Sequence, residues 1–111
     1  MAAKRKSKIV WSATAVADLQ GIAEYIRQDS PRAASKIKEE IIRKTRRLAQ
    51  YPLSGAILSE FPGENYRQVP FGNYRIIYEP VAGEVEILTV LHAKRDLKSI
   101  LKGKAQEPSD D

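Results

Sequence analysis

Residues 66–96 read YRQVPFGNYRIIYEPVAGEVEILTVLHAKRD, and this stretch decides the fold. Its segments 66–71, 74–79 and 84–91 are rich in Tyr, Ile, Val and Phe. Gly72 and Asn73 separate the first two, and residues 80–83 separate the last two. Short apolar runs broken by Gly, Pro and Asn are strands joined by tight turns, because those residues reach the backbone angles a reversal needs. The stretch therefore predicts a three-stranded antiparallel meander. Arg67, Arg75 and Arg95 lie along it, where a sheet needs no cation for its stability. Three strands offer one apolar face that they cannot cover themselves. The cover has to come from the residues upstream.

Those residues supply a strand and two helices. KIVW at 8–11 is long enough for one strand added to the sheet. Ser12 or Thr14 can cap the helix that follows, since a side-chain oxygen satisfies a free N–H of the first turn. Ala15, Leu19, Ile22 and Ile26 recur at helical spacing with Ala23 beside them, while Gln20, Glu24 and Arg27 hold the opposite face. Asp18 and Glu24 fall on the polar side and imply no acid–base pair. This helix ends near Gln28. Ser30-Pro31 starts the next, with serine as cap and proline at a position whose N–H has no helical partner. Ala34, Ile37, Ile41, Thr45 and Leu48 form its apolar stripe, and Tyr51-Pro52 stops it. Residues 28–30 alone link the two helices, which must fold back as an antiparallel pair.

The remainder is sparse. Residues 53–64 contain Gly55, Pro62 and Gly63 and read as a loop with one extended piece at 56–58. DLKSIL at 96–101 is expected to make one or two helical turns, and AQEPSDD at 105–111 to be a disordered tail. The expected fold is α+β in the order β-α-α-β-β-β. An N-terminal strand precedes a helical hairpin packed on one face of a small antiparallel sheet, with a short C-terminal helical segment. Residues 1–104 form the single domain. The sheet's other face is expected to be open and available for use.

Composition narrows the function classes. A chain of 111 residues with 42% hydrophobic content makes one modest core. There is no cysteine, which excludes disulfides and thiolate-bound metal and suits a reducing compartment. No apolar run approaches the ~18 residues that span a membrane. The basic residues 1–7 lack a following apolar signal core, so a cytoplasmic protein without membrane contact is expected. The net charge of +5 and pI near 9.6 suit an acidic protein partner or a nucleic acid. Helix two carries Arg32, Lys36, Lys38, Arg43, Lys44, Arg46 and Arg47. Lys36, Arg43 and Arg47 fall near one line with Glu40 among them, either a solvated face or a docking surface.

Catalytic constellations are few. With His92 as the one histidine, a hydrolytic metal site has too few ligands, and no metal or cofactor is expected. The serines have no histidine–acid companions, and no glycine-rich phosphate loop occurs. Metal-free RNA cleavage needs a base for the 2′-hydroxyl, an acid for the leaving oxygen and cations for the phosphate. Arg67, Arg75 and Arg95 can supply cations, and His92, whose ordinary pKa is near 6.5, a base or an acid. A lone histidine at a strand end is also a common hydrogen-bonded structural residue.

The ordered pattern resembles the ParE branch of the RelE/ParE toxin superfamily, also called plasmid stabilisation proteins. The matching residues are Trp11-Ser12 with Ala15, Asp18-Leu19, Ile22 and Tyr25-Ile26, then Ser30-Pro31 with Ala33-Ala34. Ile41, Leu48, Tyr51-Pro52 and Gly55 follow. Arg67, the run NYRIIY at 73–78, and Val90-Leu91-His92 with Arg95-Asp96 complete the set, about residues 8–97.

The resemblance implies a toxin encoded beside an acidic, ParD-like antitoxin whose partly disordered segment folds on it. The expected hetero-oligomer covers the helical hairpin and a sheet edge, and operator DNA is reached only through the antitoxin. ParE-like members are associated with poisoning DNA gyrase, and RelE-like members with ribosome-dependent RNA cleavage. By the resemblance, Arg75 and Arg95 match two functional arginines of the RelE-like enzymes, and Arg67 one strand lysine. Their second lysine position falls on Val69 and their tyrosine position on Leu101. Leucine neither transfers a proton nor stacks as tyrosine does.

The first expectation is therefore a gyrase-binding poison rather than an enzyme, contacting its target through Arg67, Arg75, Arg95, Leu97 and Leu101. The alternatives are a ribosome-dependent endoribonuclease using Arg67, Arg75, His92 and Arg95, or a non-toxic module that only pairs with an antitoxin.

Overall fold

A computed structural model describes residues 6–94. Arg95, Leu97, Leu101, the expected C-terminal helical turns and the acidic tail lie outside the described residues. The elements run β1 (Lys8–Trp11), α1 (Ala13–Arg27), α2 (Pro31–Gln50), β2 (Ala56–Ile57), β3 (Arg67–Phe71), β4 (Tyr74–Val81) and β5 (Glu84–His92).

Both helix starts follow from their capping serines. The Ser12 hydroxyl accepts from the Ala15 N–H at 3.0 Å and donates to the Leu88 carbonyl at 2.9 Å. One residue thus caps α1 and ties it to β5. Ser30 caps α2 by accepting from the Ala33 N–H at 3.1 Å, with Pro31 in the first turn. Thr45, buried on the stripe of α2, returns its hydroxyl to the Ile42 carbonyl, so no polar atom is stranded there.

The strands form one five-stranded sheet in the order β1-β5-β4-β3-β2. β3, β4 and β5 are the antiparallel meander. β1 lies parallel beside β5, with Lys8 opposite Glu84 and Trp11 opposite Ile87, so the sheet is mixed. Parallel neighbours require a long crossover, and everything between Ser12 and Gly83 provides it. β4 runs on through Pro80 and Val81, beyond the expected end at Glu79. Proline is tolerated there because β3 starts opposite Tyr78 and leaves that flank of β4 unpaired. The Pro80 carbonyl instead accepts from the Asn65 amide.

The helical hairpin packs on one face, as its stripes require. Ala15, Leu19, Ile41 and Leu48 meet Ile76, Tyr78, Val85, Ile87 and Val90. Each fully buried aliphatic side chain contributes about 1.5–3 kcal/mol.

The second face is not fully open as expected. Leu58, Ile77 and Leu91 are buried there together, with Phe61, Tyr66 and Leu88 packed against them. The loop between β2 and β3 covers part of the sheet, with Phe61 edge-on to Tyr66 at 5.5 Å between ring centres. Its apolar residues have no regular period, so the sequence showed a loop but not its seat.

Candidate functional site

The cations expected to act together are divided by the pleat. Residues directly opposite on antiparallel strands point to one face, and successive residues alternate. Arg67 is opposite Tyr78, which belongs to the helix-side core. Arg75 is one residue from Ile76 of that side and two from Ile77, and it is opposite Leu91; Ile77 and Leu91 are buried on the second face. Arg67 and Arg75 therefore stand on opposite faces of the sheet.

Their hydrogen bonds differ accordingly. An Arg67 NH donates to the Leu53 carbonyl at 3.0 Å and to the Gly55 carbonyl at 2.8 Å. Its guanidinium clamps the linker that leaves α2. Arg75 donates to the Gln68 side-chain oxygen at 3.1 Å and is half-buried.

Tyr78 completes the clamp from inside the core. Its hydroxyl donates to the Pro52 carbonyl at 2.7 Å and accepts from the Gly55 N–H at 2.8 Å. Burial pushes the phenol above its ordinary range. The Gly55 hydrogen bond, the Arg67 charge and Ser54 pull in the opposite direction.

His92 ends β5 opposite Tyr74, and the two rings meet edge-on at 5.7 Å between centres. Its Nδ1 accepts from the Lys94 N–H at 3.3 Å, and the ring is exposed. Arg67 and His92 are opposite Tyr78 and Tyr74, four residues apart on β4, or about 13 Å along a strand. Among the described residues, Arg67, Arg75 and His92 are not gathered at one place. Arg95, Leu97 and Leu101 lie outside the described residues.

His92 does border a hollow of about 520 Å³ between α1 and the end of β5, together with Ile22, Tyr25 and Tyr74. Asp18 is at its base. The Asp18 carboxylate accepts from the Thr89 hydroxyl and, at 3.1 Å, from the Val90 N–H. These bonds join α1 to β5 beside the register shift that follows Ile77. On the sequence alone Asp18 falls on the polar side of α1. Its place one residue before buried Leu19 and three after buried Ala15 was the available signal.

The far end of the second face is acidic. Glu79 is directly opposite Glu86. Burial, then Glu86, then Glu64 raise the Glu79 carboxyl above the ordinary glutamate range. Tyr66 is raised by burial and by Glu64 and Glu79. This face is therefore not uniformly cationic, contrary to what three arginines alone suggest.

Comparison with known proteins agrees with this architecture. Residues 9–97 match the model of a family described as the ParE toxin of the type II toxin–antitoxin system parDE. A putative toxin, Y4kP, of Sinorhizobium fredii is 33% identical over 100 residues, covering 86% of this chain and 98% of the relative. Toxin RelE2 of Caulobacter vibrioides is 34% identical over 89 residues, covering 80% and 98%. Among solved structures, a chain of the chromosomal ParDE toxin–antitoxin system from P. aeruginosa superposes with TM-score 0.67 at 24% identity, covering 80% of this chain and 98% of that one. A chain of the RelBE2 toxin–antitoxin complex from Mycobacterium tuberculosis gives 0.56 at 23%, covering 78% and 98%. These two likenesses define the fold.

The class so defined is the toxins of type II toxin–antitoxin systems with the ParE/RelE fold. Within it, this chain belongs to the ParE toxin family.

Proposed function

We propose that this toxin poisons DNA gyrase by binding it, and that an acidic ParD-like antitoxin neutralises it. The observation that carries the target is the engagement of Arg67. Its guanidinium is turned onto the Leu53 and Gly55 carbonyls, far along the sheet from His92. Electrostatic catalysis on a phosphate needs several donors converging on one point. Arg67 therefore acts as a positioning residue for the linker, while Arg75 on the second face contacts the target with Arg95, Leu97 and Leu101. An antitoxin partner is supported by the two superposing chains, each from a toxin–antitoxin system. The chain's +5 charge suits an acidic partner and accelerates encounter.

A gyrase supercoiling assay tests the reading. Purified toxin should inhibit supercoiling and accumulate cleaved DNA, and Arg75→Ala should weaken the effect. Full supercoiling at a large excess of folded toxin removes gyrase as the target. A RelE-like ribosome-dependent nuclease is the second reading, favoured by the likeness to toxin RelE2. It requires messenger cleavage on translating ribosomes that falls sharply in Arg75→Ala.

A further inference from the structure

The charge of this protein is concentrated on one helix. α2 holds seven of the Lys and Arg side chains and two Glu, a surplus equal to the +5 of the entire chain. Among the described residues the ion pair is Arg27 with Glu24 on α1, so none of the α2 cations is neutralised by a carboxylate. All seven are exposed.

A subset of them borders a seam. Positions 36, 40, 44 and 47 follow one flank of α2 at helical spacing. Two hollows open in line between that flank and β3. The first, about 530 Å³, has Lys36 and Glu40 at its rim and Ile37 and Phe71 in its floor. The second, about 320 Å³, has Lys44 and Arg47 at its rim and Leu48 and Val69 in its floor. Val69 and Phe71 are alternate residues of β3 and share a face. Among the described residues β2 pairs with Arg67 and Gln68 alone, and no other strand lies beside this edge of β3. Pro70 has no N–H, which makes this stretch of edge a poor template for strand addition.

We propose that this α2–β3 seam is where an acidic polypeptide segment docks, seating apolar side chains on Ile37, Phe71 and Val69 and carboxylates on Lys36, Lys44 and Arg47. The inference rests on the antitoxin reading above and assigns the place of entry. A nucleic acid backbone fits less well. Phosphates gain nothing from an apolar floor, and Glu40 interrupts the row of cations. An amphipathic acidic segment uses both features, and its ordering on the seam is driven by apolar burial with charge setting register and rate.

The test uses the full-length chain and the protein encoded by the small reading frame adjacent to its gene, with affinity measured by titration calorimetry at two salt concentrations. Lys44→Glu/Arg47→Glu should weaken binding at least tenfold. Lys38→Glu/Arg46→Glu makes the same change in net charge at exposed residues on the other flank of α2, which line neither hollow, and should cost less than threefold. Val69→Asp, which puts a like charge on the apolar floor, should match the first pair. Circular dichroism melts confirm that each variant folds. Equal losses for the two charge reversals, or none for either, overturn the seam while leaving the antitoxin reading intact. No binding of the unaltered chain overturns both. Binding of a random DNA duplex that competes with the protein partner and is lost in Lys44→Glu/Arg47→Glu also overturns the proposal, in favour of a nucleic acid groove.

Discussion

The Gly55 N–H donates to the Tyr78 hydroxyl at 2.8 Å, and the space a Cβ needs at residue 55 is already filled, 2.6 Å from that oxygen. The linker after α2 is thereby fixed to the centre of the sheet. Tyr78→Phe leaves the Gly55 N–H and the Pro52 carbonyl without this partner and should destabilise by about 2 kcal/mol. Gly55→Ala should cost at least as much through the clash. The Tyr78 phenol is raised in the fold, so its stabilisation is complete below the ordinary tyrosine value and is lost as pH rises through the folded one. The unaltered chain should therefore lose stability in strong alkali, and Tyr78→Phe should lose less there. Chemical denaturation at pH 7 and pH 11 measures both.

Arg67 should behave as a structural residue. Arg67→Ala should lower stability by about 1–2 kcal/mol, since two carbonyls lose a charged donor. Arg67→Lys retains the charge on a shorter side chain without the planar guanidinium whose one terminal nitrogen reaches both Leu53 and Gly55, so recovery should be incomplete. If Arg67→Ala melts as the unaltered chain does yet loses toxicity in an induced-growth assay, the clamp assignment is wrong and a direct target contact is right.

Asp18 is expected to hold α1 to β5. Asp18→Ala should destabilise by roughly 2 kcal/mol by stranding the Val90 N–H and the Thr89 hydroxyl. Asp18→Asn retains one acceptor and should recover part of it. Hydrogen exchange at Val90 reads the bond directly and should accelerate in both variants.

Glu79 opposes Glu86 and should be a liability at neutral pH. Its carboxyl is raised in the fold, so the favourable contribution is present below the ordinary glutamate value and lost as pH rises through the folded one. Glu79→Gln should therefore raise the melting temperature at pH 7, by about 0.2–1 kcal/mol in stability for a relieved cross-strand repulsion. The gain should vanish near pH 3.5. A gain that persists at acid pH points to packing instead of charge.

Much of the fold was legible because its signals are local. The Ser30 cap, the Ser12 cap that the sequence left open against Thr14, the helical stripe from Ala34 to Leu48 and the Gly72-Asn73 turn each act through near neighbours. What escaped was set by long-range partners. The parallel entry of β1, the seat of Leu58 and Phe61 on the second face, and the Asp18 bridge each depend on residues distant in sequence. The site was less legible for a related reason. Arg67 and Arg75 look equivalent on paper, but the strand period of two turns one inward to the linker and leaves the other on the opposite surface.

Among the described residues β1 pairs with β5 alone, and the Ser12 to Leu88 hydrogen bond joins positions 76 residues apart. A chain still emerging from the ribosome has its first strand waiting and its core missing Val85, Ile87 and Val90. A chain cut short before residue 84 therefore has neither the partner of β1 nor the β5 side of the core, and the toxin fold cannot close.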